Sequence, residues 1–165
     1  MSQITFKGDA VSTSGDLPAV GATAPAFTLT AADLSDATLD TFAGKKKVLN
    51  VFPSIDTPVC QLSVKAFNQT AAGRGDTVVL NISADLPFAQ ARFCGAEGIE
   101  DSVSLSTFRS SFATDYGLEI ADSVLKGLCS RAVIVVDADN LVIHAEQVPE
   151  IAQEPNYGAA IAALA

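Results

Sequence analysis

The stretch KVLNVFPSIDTPVCQLSVKAFNQTAA, residues 47–72, decides how the rest of the chain is read. Lys47 to Phe52 is a largely apolar run closed by Pro53, the pattern of a buried strand that stops where a backbone donor is lost. From Pro58 to about Ala72 the period changes, and Cys60, Val64, Phe67 and Ala71 fall on one face of a helix. Between the two, Asp56 or Thr57 can cap and Pro58 suits the first helical position, which puts Cys60 in the first turn. A strand feeding a helix through a short loop is the building unit of an α/β protein.

The neighbouring sequence extends this unit in both directions. Upstream, Ile4 to Phe6 and Ala10 to Ser12 flank Lys7-Gly8-Asp9 as a small N-terminal β-hairpin, and Gly15 to Pro25 is a loop. Downstream, Thr77 to Ser83 is a strand, and Asp85 is expected to cap a helix running to Cys94 with Gly95 as its stop. Val103 to Leu105 is a short strand and Thr107 to Tyr116 a helix. Ala132 to Val136 is a strand turned by Asp137-Ala138-Asp139-Asn140 into Leu141 to Glu146. Tyr157, Ala160, Ile161 and Leu164 form one apolar stripe on a terminal helix that must pack on the sheet. This order predicts a thioredoxin-like α/β fold, a central mixed sheet flanked by helices. At 165 residues and 17.0 kDa, one domain over 1–165 is expected. Reactive groups in such folds gather where a strand's carboxyl end feeds a helix, here Phe52 to Cys60.

Composition narrows the function classes. Ten basic against 19 acidic residues give a net charge of −9 and a pI near 4.3, which repels phosphate backbones and anionic bilayers. Neither a nucleic-acid partner nor a membrane is expected. The longest uninterrupted apolar run, Ala159 to Ala165, falls far short of the roughly 20 residues of a bilayer span. Lys7, Asp9 and Asp16 stand where a cleaved leader would carry its apolar run, so a cytoplasmic location is expected. Cys60, Cys94 and Cys129 are too few and odd in number for a disulfide framework. The one histidine, His144, has no ligand-spaced partner, so no metal is expected, and it reads as a solvent-facing strand residue.

Cys60 poses the chemical question. The positive end of a helix favours an anion by about 0.3–1 kcal/mol. Moving a thiol from about 8.5 to about 6 takes roughly 3.4 kcal/mol, and a core-facing position opposes the change. A reactive thiolate here therefore calls for a cation. Of the four arginines, Arg131, just before the strand Ala132 to Val136, is best placed to reach a neighbouring strand end. A charge-assisted hydrogen bond from it, worth about 1.5–3 kcal/mol, would close the gap. Spacing alone favours the plainer reading, Cys60 as a packing thiol and Arg131 as a strand-end surface charge.

The runs PSIDTPVC, ISADLPFAQARFCGAEG, LSTFR and GLCSRAVIVVD resemble the thiol peroxidase subfamily of peroxiredoxins, with likeness from the N-terminal hairpin to the last helix. Pro53, Thr57 and Cys60 match the Pro-x-x-x-Thr-x-x-Cys motif. The resemblance implies that Cys60 is the peroxidatic cysteine, that Thr57 orients peroxide and thiolate, and that Pro53 shields the sulfur. It likewise implies Arg131 as the active-site arginine and Cys94 as the resolving cysteine of the same chain. The implied reaction reduces hydrogen peroxide and organic hydroperoxides without metal, flavin or nucleotide, with thioredoxin as reductant and a homodimer as the assembly. Two positions depart from the pattern. Lys65 stands where an arginine is expected, and a lysine lacks the planar fork. Cys129 stands where a small or apolar residue is usual, and reads as a buried packing thiol. The competing class is a non-enzymatic thioredoxin-like protein with a fixed Cys60–Cys94 bridge. A reducing compartment argues against that, and no Cys-x-x-Cys is present to make a disulfide reductase.

Overall fold

The computed structural model describes residues 2–165, so residue 1 of the expected 1–165 domain lies outside the described residues. The elements in chain order are β1 (Gln3–Phe6), β2 (Asp9–Ser12), β3 (Leu29–Ala31), β4 (Asp36–Ala37), β5 (Lys46–Val51), α1 (Pro58–Thr70), β6 (Thr77–Ser83), α2 (Pro87–Glu97), β7 (Val103–Ser106), α3 (Phe112–Asp115), β8 (Ala132–Val136), β9 (Val142–Gln147) and α4 (Tyr157–Ala163), with a 3-10 turn at Leu39–Phe42. β1 and β2 form the expected hairpin. The other seven strands make one mixed sheet in the order β4-β3-β7-β6-β5-β8-β9. β5 runs parallel to β6 and antiparallel to β8, which places the carboxyl end of β5 beside the start of β8, with Val51 opposite Ala132.

Alternation along these buried strands feeds two faces. Leu49, Val51, Leu80, Ile82, Ala132 and Ile134 point into a cluster closed by Phe27, Phe112, Tyr116 and Leu118. Val48, Val79, Val133 and Val135 point the other way, beneath Phe67 of α1, Ala71 at its C-cap, and Ala160 and Leu164 at the terminal helix. The terminal stripe therefore packs on the sheet as its spacing requires. Among the described residues, no helix is long and apolar enough to cross a membrane.

Four local expectations need correction. α2 does not stop at Gly95 but continues to Glu97, and Gly98, in the left-handed region at φ 66°, ends it. Its cap is Leu86, because Pro87 occupies the first helical position and displaces Asp85 from the capping site. The helix expected over Thr107 to Tyr116 shrinks to the single turn of α3. Here the Ser106 and Ser110 hydroxyls accept from the Phe108 and Phe112 amides, the local competition that serine offers a helix. His144 is half-buried rather than solvent-facing: β9 carries it opposite Val135 beside a bulge, and its Nε2 is buried without a hydrogen-bond partner among the described residues. The short strands β3 and β4 extend the sheet at an edge for which no strand was expected.

Candidate active site

The loop from β5 to α1 builds the site. Phe52 and Pro53 are buried, Thr57 is the extended cap residue of α1, and Pro58 holds its first position. The Thr57 hydroxyl does not cap the helix but donates to the Ser54 carbonyl at 2.9 Å. Cys60 follows in the first turn, fully buried among Phe52, Ile55, Val64 and Phe93.

Arg131 enters from the β8 side. It is 2% exposed, and its Nε donates to the Ile151 carbonyl at 2.7 Å, which fixes the guanidinium plane. Its Nη2 donates to Cys60 Sγ at 3.2 Å. Nη1 of the same guanidinium is buried with no hydrogen-bond partner among the described residues. Both groups needed for an ionised thiol, a helix N-terminus and a desolvated cation, thus meet at one sulfur. Pro53, Thr57, Pro58, Val59 and Arg131 line one side of a cavity of about 350 Å³, and Phe6, Leu125 and Ile151 supply an apolar wall. The N-terminal hairpin is therefore part of the pocket, which its position in the chain does not reveal.

Cys94 lies one turn from the end of α2 and packs against the Cys60 cluster. Its sulfur is 3.4 Å from Ser104 Oγ, and both it and Cys60 are free thiols. Three contacts join its helix to the Cys60 side: Arg92 to Asp56 at 2.8 Å, Lys65 to Glu97 at 3.2 Å, and Phe93 inside the shared cluster. Lys65 is thus a half-buried partner of the exposed Glu97. Cys129 is fully buried in the cluster on the opposite face of the sheet, and burial pushes its thiol up to about 12.

Asp85 is the residue that sequence reasoning placed wrongly. Its carboxylate accepts from the Ile55 amide at 2.7 Å, Ser54 Oγ at 2.8 Å and Ser83 Oγ at 2.6 Å, clamping the Cys60 loop onto the end of β6. The signal was available in Pro87, whose preference for the first helical position leaves Asp85 one residue too early to cap.

Residues 19–161 match the family model described as Redoxin. Thiol peroxidases from Mycobacterium tuberculosis and Mycobacterium bovis are 58% identical over 164 residues, 99% of this chain and of each relative. Among solved structures, a peroxiredoxin-like protein from Aquifex aeolicus superposes with a TM-score of 0.94 at 35% identity, covering 99% of this chain and 96% of that one. A thiol peroxidase from Chromobacterium violaceum, at 24% identity and a TM-score of 0.86 over 95% of this chain and 91% of its own, shares the fold. The sheet order and these likenesses define a thioredoxin-like redox protein. The chain belongs to the redoxin family and, within it, to the thiol peroxidases, peroxiredoxin-type enzymes of antioxidant defence.

Proposed function

We propose that the enzyme reduces hydrogen peroxide and organic hydroperoxides through Cys60, with Cys94 as the resolving thiol and thioredoxin as the reductant. The observation that carries the reading is the 3.2 Å hydrogen bond from Arg131 to Cys60 Sγ, from a guanidinium whose Nη1 is buried without a partner among the described residues. In the first step the Cys60 thiolate attacks the distal peroxide oxygen. The O–O bond breaks, the sulfur is oxidised to a sulfenic acid, and the alkoxide or hydroxide leaves and takes up a proton as alcohol or water. In this reading the Arg131 guanidinium stabilises the charge that develops on oxygen, Thr57 orients the peroxide, and Pro53 keeps bulk water from the sulfur. The apolar cavity wall suits an organic tail.

In the second step the Cys94 sulfur displaces water from the sulfenic acid, forming a Cys60–Cys94 disulfide. Two electrons from an external dithiol such as thioredoxin then reopen it. A disulfide needs Cα atoms within about 7 Å, so the first turn of α1, the end of α2, or both unwind before the bond closes. Family resemblance also supports a homodimer acting in the cytoplasm, with 1–165 as one catalytic domain. The test is a coupled assay of peroxide loss with thioredoxin and its reductase, joined to mass analysis of the oxidised enzyme. A Cys60–Cys94 disulfide and continuous turnover are expected, and peroxide left unconsumed by the reduced protein would overturn the reading.

A further inference from the structure

A chain of hydrogen bonds, half-buried at Asp85 and fully buried at Gln90, runs from the Cys60 loop to the helix that carries Cys94. The Ile55 amide and the Ser54 hydroxyl donate to the Asp85 carboxylate, as does Ser83 Oγ. Ser83 Oγ in turn accepts from Gln90 Nε2 at 3.1 Å, and the same nitrogen donates to the Leu105 carbonyl at 3.0 Å. Gln90 is 2% exposed and stands four residues before Cys94, one helical turn away on the same face of α2. Asp85 itself is held from behind by Ser106 Oγ, which donates to its carbonyl at 2.6 Å.

An amide left without its acceptor in a buried setting costs far more than the same amide in water. While Ile55 and Ser54 are bound, the segment 53–57 stays packed and Thr57 and Pro53 keep their places beside Cys60. Unwinding the first turn of α1 to bring Cys60 to Cys94 pulls Ile55 and Ser54 away from Asp85.

We infer that Asp85 is a positioning residue that sets the balance between the two chemical steps, holding the Cys60 loop in its peroxide-reactive form and resisting the unwinding that disulfide formation needs. The inference rests on the function proposed above and predicts opposite effects on its two steps. An asparagine at this position can keep the geometry, because its oxygen can accept from Ile55 and Ser83 while its amide donates to the Ser54 oxygen. An alanine cannot.

Rapid mixing of the reduced protein with hydrogen peroxide separates the bimolecular oxidation of Cys60 from the unimolecular closure of the disulfide. Asp85→Ala is expected to slow oxidation about tenfold and to speed closure severalfold. Asp85→Asn is expected to recover most of both rates. Ser54→Ala, which removes one loop-side donor and leaves the β6–α2 junction intact, should show the same opposed pattern at smaller size, and decides the matter if Asp85→Ala does not fold. Rates that fall together in these variants, or an asparagine variant as impaired as the alanine, would overturn the inference and leave the peroxidase reading standing. A wild-type protein whose Cys60 does not react with peroxide would overturn both.

Discussion

Cys60 and Cys129 are equally buried, yet their surroundings differ in one decisive respect. Cys60 sits at a helix N-terminus with the Arg131 guanidinium 3.2 Å from its sulfur. Cys129, two residues before that same arginine, faces the opposite side of the sheet. Burial dominates there, a hydrogen bond from the Thr107 side chain only partly offsets it, and Glu119 and Asp85 add like charge. Burial alone makes a thiol inert, and burial with a buried cation makes it a candidate nucleophile. The pair is a control experiment within one chain.

The sharpest way to break this comparison is to exchange sulfur for oxygen. Cys60→Ser is expected to lose all measurable peroxide reduction, whereas Cys129→Ser should turn over at close to the wild-type rate in the coupled assay. Full activity in Cys60→Ser would transfer the chemistry to another thiol. Next in size, Cys94→Ser should consume about one equivalent of peroxide and then stall with thioredoxin. If it keeps cycling and the Cys129 variant stalls, the buried thiol is the resolver and the contrast collapses.

A smaller effect isolates the cation. Arg131→Met should lower the rate of peroxide attack about 10–100-fold, as expected for losing a charge-assisted hydrogen bond. An unchanged rate would give the work to another positive group. The least effect concerns stability. The Cys129 thiol, ordinarily near 9.0 and pushed up to about 12, holds its proton more tightly folded than unfolded. Its contribution to stability is therefore complete below pH 9 and is lost as pH rises toward 12. Melting temperatures across that window should fall less steeply in Cys129→Ala than in the wild type. Tyr116, which burial also pushes up, leaves a residual decline in both.

The sequence made the Cys60 side of the site legible because its determinants are local. Pro53 closes a strand, Pro58 opens a helix, and the apolar stripe through Val64 and Phe67 turns Cys60 inward. Arg131 could be placed because it borders an unambiguous strand, although the hydrogen bond to Ile151 that fixes its plane joins segments 20 residues apart. What escaped depends on long-range partners. Asp85 looks like a helix cap until Ile55 and Ser54, some 30 residues earlier, claim its carboxylate. The stretch around Ser106 to Ser111 has helical spacing, but its hydroxyls and the reach of Arg109 to Thr30 and Leu34 reward a turn instead. Phe6 meets the active-site cavity only through tertiary packing.

The antiparallel register of Val51 against Ala132 has a consequence for how this protein tolerates change. Arg131 immediately precedes the first paired residue of β8, so the guanidinium reaches Cys60 from the end of a ladder and its aim depends on counting residues more than on which apolar residues are counted. Exchanging one β-branched residue of β8 for another preserves the alternation. Inserting a single residue between Arg131 and Ala132 would shift the phase by one and turn the side chain toward the wrong face of the sheet. The strand beside the site is thus permissive to substitution and intolerant of insertion, whereas the Asp137–Asn140 turn at its far end can absorb a change in length at little cost to the chemistry.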